Sequence, residues 1–138
     1  NLHRLAAESK GIVLHTHVQN EIFAYGDRDM INSVIRNLMT NAVKFTDRDR
    51  KVEVRVNAYD GLIQVRVIDE GIGIPVEYIS KLFRIDEKYK TVGTAGEKGT
   101  GLGLIICREF VEKNGGKISV QSKPGVGSTF IFTLPMAN

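Results

Sequence analysis

The sequence points to an α+β fold of the α/β-sandwich kind: a mixed, mostly antiparallel sheet of about five strands with about three helices on one face. Three observations lead there. Two stretches, residues 27–45 and 101–114, repeat apolar side chains at helical spacing. Two pairs of β-type runs are each closed by turn residues, Asp60 and Gly61 in the first and residues 124–127 in the second. The 138 residues make one ordinary domain, without repeats, low-complexity tracts or a linker-like shift in composition. Residues 1–138 are therefore read as a single domain.

The elements follow in order. Residues 1–10 fit the end of a helix stopped by Gly11, as in a fragment cut from something longer. Residues 12–18 form a short strand. Asp27 stands where an N-cap belongs, ahead of a helix running to about Phe45. Residues 51–57 alternate without a fault, as a half-buried strand does, and residues 62–69 are its hairpin partner. A Gly-rich turn, residues 71–75, leads into a short helix that ends near Phe83. Residues 86–100 show no period and read as a mobile loop. A second long helix from about Gly101 stops at Gly115 and Gly116, and residues 117–123 and 129–134 close the chain as a hairpin.

Composition excludes several classes of function. An apolar fraction of 42% and a charged fraction of 25% are those of a soluble globular chain. The single cysteine rules out an intramolecular disulfide framework and a cysteine-based zinc knuckle. No apolar run approaches the ~20 residues of a membrane span, and residues 1–4 do not open a signal peptide. Net charge is +3, but basic and acidic residues are interspersed, so no nucleic-acid surface is indicated. These features suit an intracellular domain.

Three groups of residues could carry chemistry. On a helical wheel Val34, Phe45, Leu38, Ile31, Ala42 and Ile35 form the core face, and Asp29, Asn32, Arg36, Thr40 and Asp47 lie opposite. Asn37, Asn41 and Lys44 share a stripe between them through i, i+4, i+7 spacing. That stripe is either more solvated surface or a functional edge beside the core. Asp69 shares strand parity with Ile63, Val65 and Val67, so it faces the interior. There it either caps the following turn or holds a ligand amine, with Gly71 and Gly73 allowing close approach. Gly96, Gly99, Gly101 and Gly103 crowd the start of a helix, where free N–H groups and the helix dipole suit phosphate. A flexible turn is the bland alternative. Neither G-x-G-x-x-G after a strand nor G-x-x-x-x-G-K-[ST] is present.

Taken together, the blocks resemble the ATP-binding catalytic domain of bacterial sensor histidine kinases. That domain shares its Bergerat-type fold with DNA gyrase, the large heat-shock chaperones and mismatch-repair ATPases. The resemblance rests on an N box at residues 37–46, a first glycine box at residues 69–75, a second at residues 99–104, and a closing hairpin at residues 116–135. It implies a role for each matching residue. Asp69 accepts from the adenine amino group, with Gly71 and Gly73 bordering the base. Phe45 packs near the adenine, and Thr129 supplies a hydroxyl there. Asn41 is a ligand of Mg²⁺; Asn37 and Lys44 face the phosphates as catalytic residues. Gly99, Thr100, Gly101, Leu102 and Gly103 bring backbone N–H groups to the ATP phosphates.

The resemblance also implies what the domain does. Hydrolysing members of the superfamily carry glutamate where this chain has Asn37, and an amide cannot take a proton from water at neutral pH. The expected activity is a protein-histidine kinase of a two-component system, whose γ-phosphate passes to an imidazole, a competent nucleophile when neutral. A nucleotide-binding regulatory module and a hydrolysing ATPase are the alternatives. No histidine here (His3, His15, His17) matches a phosphoacceptor motif. The implied partners are therefore a helical dimerisation and phosphoacceptor domain of the same parent, and a response-regulator receiver domain. The expected setting is cytoplasmic, whether or not the parent is anchored in a membrane, with no membrane contact by this stretch. Residues 81–86 are a shortened phenylalanine box, in which Arg84 contacts either phosphate or a surface partner. Lys88, Lys90 and Lys98 belong to the loop over the nucleotide. His15 and His17 point to one face but lack a third metal ligand, and Cys107 is expected to be a packed, inert thiol.

Overall fold

The structure is a computed structural model that describes residues 11–18, 24–83 and 103–137. Its elements are β1 (Val13–Val18), α1 (Arg28–Lys44), β2 (Lys51–Tyr59), β3 (Leu62–Asp69), α2 (Val76–Ile79), α3 (Gly103–Lys113), β4 (Ile118–Lys123) and β5 (Gly127–Pro135). The strands form one sheet in the order β1-β2-β3-β5-β4. Only β1 and β2 run parallel, and α1 lies between them in the chain, as a crossover connection requires. All other pairs are antiparallel. This is the mixed sandwich expected from the sequence. The expected helix over residues 1–10 and loop over residues 86–100 lie outside the described residues.

Local chemistry accounts for the element ends. Asp27 caps α1: its Oδ1 accepts from the Met30 N–H at 3.0 Å. The β2–β3 turn places Asp60 and Gly61 at φ 51° and 75°, both in the left-handed region that a two-residue hairpin loop needs. At the end of α3, Gly115 takes φ 81° while the Gly116 N–H bonds the Val111 carbonyl and the Gly115 N–H that of Glu112. That pair of bonds is a Schellman motif. Asn114 then ties the two long helices together, accepting from the Asp27 N–H at 2.7 Å and donating to the Phe110 carbonyl.

Alternation along the strands sorts the two faces of the sheet. Val52, Val54, Ile63, Val65, Val67, Phe130, Phe132 and Leu134 are buried under α1 and α3. From α1 come Val34, Leu38, Met39, Ala42 and Val43; from α3 come Cys107 and Val111. The wheel's core face is recovered in Val34, Leu38 and Ala42, while Ile31, Ile35 and Phe45 are half-buried. Met39 and Val43 are buried in addition and join the same core cluster. Cys107 is fully buried, its Sγ 3.7 Å from the Val34 carbonyl, and burial pushes its thiol up to about 12. Leu38 anchors the helix that carries Asn37 and Asn41. Leu38→Ala is expected to cost about 2–5 kcal/mol, read as a lower urea midpoint at an unchanged slope.

Candidate functional site

The site is built where β3 ends. Asp69 keeps the parity of Val65 and Val67 and so enters the helix-covered side, where it is only 8% exposed. Its Oδ1 accepts from two backbone groups, the Gly71 N–H at 2.9 Å and the Ser128 N–H at 3.2 Å. Among the described residues nothing donates to Oδ2. Burial pushes the carboxyl up to about 6, and the two backbone donors only partly offset that. The turn cap, one of the two alternatives in the sequence, is present on Oδ1, and it leaves Oδ2 without a donor among the described residues.

Glycines make the surrounding backbone close in. A Cβ on Gly71 would collide with the Phe45 carbonyl and stand 2.8 Å from the Asp69 Oδ1. The same carbonyl accepts from the Ile72 N–H at 3.1 Å, so the first glycine box is strapped to the C-terminal end of α1. Gly73 holds φ 75° against the Lys123 carbonyl, a position closed to any side chain. On the far side the Ser122 hydroxyl lies 2.7 Å from that of Ser128 and accepts from the Ile74 N–H at 2.8 Å. The box is thus held between α1 and the β4–β5 hairpin.

The expected stripe on α1 is present. Asn37 and Asn41 are half-buried, as is Lys44, whose Nζ lies 4.9 Å above the Phe45 ring. Asn37 donates from Nδ2 to the Ser33 carbonyl at 2.9 Å. Its Oδ1 would stand 3.4 Å from a Cβ on Gly103, so the start of α3 approaches Asn37 closely. The side-chain amide of Asn41 makes no hydrogen bond among the described residues. Those residues hold no group of three or more His, Cys, Asp or Glu able to bind a metal ion. A cation here would depend on Asn41 together with oxygens from a ligand and water.

Thr129 is not brought to this corner. It pairs with Ile68 and Gln121, whose side chains occupy the opposite face of the sheet. The hydroxyl beside Asp69 is that of Ser128, its direct cross-strand partner. The signal was available: Ser128 shares parity with the buried Phe130 and Phe132. Gly99, Thr100, Gly101 and Leu102 lie outside the described residues, as do Arg84, Lys88, Lys90 and Lys98. Within the shortened phenylalanine box, Leu82 is buried and Phe83 packs edge-on against Phe130, with ring centroids 6.5 Å apart.

Comparison with known proteins gives one family. The model described as "Histidine kinase-, DNA gyrase B-, and HSP90-like ATPase" matches residues 26–138. Histidine protein kinase DivJ of Caulobacter vibrioides is 34% identical over 136 residues, which is 96% of this chain and 22% of DivJ. Sensor histidine kinase RcsC of Escherichia coli is 40% identical over 114 residues, 80% of this chain and 12% of RcsC. The chain therefore spans less than a quarter of the length of each of these relatives. Among solved structures, the catalytic domain of histidine kinase ThkA superposes with TM-score 0.81 at 32% identity, covering 97% of this chain and 85% of that one. Full-length ShkA in complex with AMPPNP gives TM-score 0.83 at 29% identity, covering 99% of this chain and 28% of that one.

The raised Asp69 carboxyl has a consequence for stability. Its ordinary value is 3.8, so the folded chain binds this proton more tightly than the unfolded chain does. The resulting stabilisation is complete below pH ~4 and is lost as pH rises through about 6. A difference of that size corresponds to about 3 kcal/mol. Asp69→Asn keeps an acceptor for both backbone donors and carries no buried charge. It is expected to melt higher than the parent at pH 7–8, with the gap closing toward pH 4, as thermal melts across that range would record.

Proposed function

Since the chain belongs to the histidine kinase-, DNA gyrase B- and HSP90-like ATPases, we propose that it binds ATP with Mg²⁺ and donates the γ-phosphate to a histidine on a separate helical domain. The observation that carries this reading is Asp69: a buried carboxylate with one oxygen committed to backbone and the other without a protein donor among the described residues. An adenine amino group is the complementary donor. Gly71 and Gly73 let the turn beside Asp69 close tightly on the Phe45 and Lys123 carbonyls, and Phe45 lies at the adjoining end of α1. Ser128 takes the hydroxyl role first assigned to Thr129.

ATP with Mg²⁺ supplies the transferable phosphoryl group, which a neutral imidazole nitrogen accepts as ADP departs. The chain's own residues position and neutralise. Asn41 offers its side-chain oxygen to the cation, Lys44 sets a positive charge at the same edge of α1, and the start of α3 presents backbone donors. Asn37 stands where a hydrolase needs a base, yet its amide donates to Ser33 and cannot take a proton from water. Positioning without water activation favours transfer over hydrolysis.

The partners proposed are a dimerising helical domain that bears the phosphoacceptor and a response-regulator receiver domain. The large remainder of each relative supports a multidomain parent. Within it, residues 1–138 act as one catalytic unit, placed in the cytoplasm with ATP. Among the described residues no helix is long and apolar enough to cross a membrane.

Calorimetry on the chain is expected to show saturable ATP binding that strengthens with Mg²⁺. Affinity should fall as pH drops through about 6, where Asp69 takes up its proton, and should weaken at least tenfold (~1.4 kcal/mol or more) in Asp69→Asn at pH 7.5. In Asn41→Ala the gain from Mg²⁺ should shrink; identical magnesium titrations would remove the ligand role. Labelled ATP mixed with a phosphoacceptor hairpin should place label on histidine. Binding without transfer would mark a regulatory module, and phosphate release at ~1 s⁻¹ or faster by the chain alone would mark a hydrolase.

A further inference from the structure

The other face of the sheet carries a conflict of charge that the nucleotide site does not use. In register, His17 lies beside Arg55 and Arg55 lies directly opposite Arg66. Like charges placed directly opposite destabilise a strand pair. Glu53 answers part of this: its Oε2 is 3.1 Å from the His17 Nε2 and 3.0 Å from an Arg55 terminal nitrogen. Arg55 holds the Glu53 carboxyl below the usual carboxylate range. Among the described residues no carboxylate answers Arg66 in the same way. Its Nε is buried and makes no hydrogen bond among the described residues. A buried guanidinium donor left without a partner costs more than a made bond returns.

Both arginines line one cleft of about 500 Å³, with His17, Thr16 and Asn57 around them. Among the described residues, none that lines it is acidic. We propose that this cleft is a second ligand site, which takes an oxyanion, phosphate or carboxylate, with Arg66 as its principal donor and Arg55 beside it. A planar guanidinium matches either group with two parallel N–H bonds, which an ammonium cannot do. The anion accepts from the guanidinium groups of Arg66 and Arg55 where they line the cleft and screens their facing charges. A local conflict of this kind, uncorrected among the described residues, is characteristic of a functional position. Asp69 faces the other side of the sheet, so the cleft is separate from the adenine pocket.

Backbone-amide NMR of the ¹⁵N-labelled chain tests this, with inorganic phosphate and a glutamate-rich peptide titrated separately against chloride at constant ionic strength. Saturable shifts at Arg55, Asn57 and Arg66, weakened at least tenfold in Arg66→Gln and less in Arg66→Lys, are expected for at least one probe. Saturation by phosphate alone identifies a free ion as the ligand; tighter saturation by the peptide identifies a carboxylate side chain of a neighbouring segment. ATP affinity unchanged in both variants shows that they fold, whatever the outcome for the proposed kinase activity. If neither probe saturates these amides, or Arg66→Gln binds as the parent does, the site does not exist.

Discussion

Burying a carboxylate at the end of β3 obliges the backbone around it to supply donors, and much of the site follows from that obligation. The Gly71 N–H reaches Asp69 because the chain turns sharply after the strand. The Ser128 N–H reaches it because β5 lies in register beside β3. The turn is fastened by the Phe45 carbonyl, and the β4–β5 hairpin by the Ser122–Ser128 contact. Dry surroundings raise the carboxyl, while one oxygen remains without a donor among the described residues. Burial of this acid works against the fold once it is ionised, a common relation between stability and function.

Much of this was legible in the sequence, for reasons that are local. Strand parity put Asp69 inside, the i, i+4, i+7 spacing grouped Asn37, Asn41 and Lys44, and turn residues marked both hairpins and the end of α3. What escaped depends on a second element. Met39 and Val43 lie outside the wheel's apolar arc yet join the buried cluster, which the spacing within one helix does not reveal. Glu53 alternates outward as expected, yet is buried because His17 and Arg55 close over it. Thr129 was matched to a family position, while parity with Phe130 and Phe132 assigns the inner hydroxyl to Ser128.

The two faces of the sheet divide the chemistry between them. One is roofed by helices and gathers Asp69, the glycine box and the asparagine stripe at a single corner. The other is charged, and its arginines meet across β2 and β3 because register fixes which residues face each other. A slip of one residue would exchange the faces, sending Asp69 outward and the guanidinium groups into the core. The apolar residues of β3 and β5 prevent that slip.

The strand order adds a property of its own. β3 is paired along its whole length on both sides, to β2 and to β5, whereas β1 and β4 each have one neighbour in the sheet. Amides on such an inner strand exchange with solvent hydrogen chiefly when the whole domain opens, while the rims fray independently. Asp69 is therefore attached to an inner strand, the part of the sheet that opens last, and fraying of the rims leaves that strand in place.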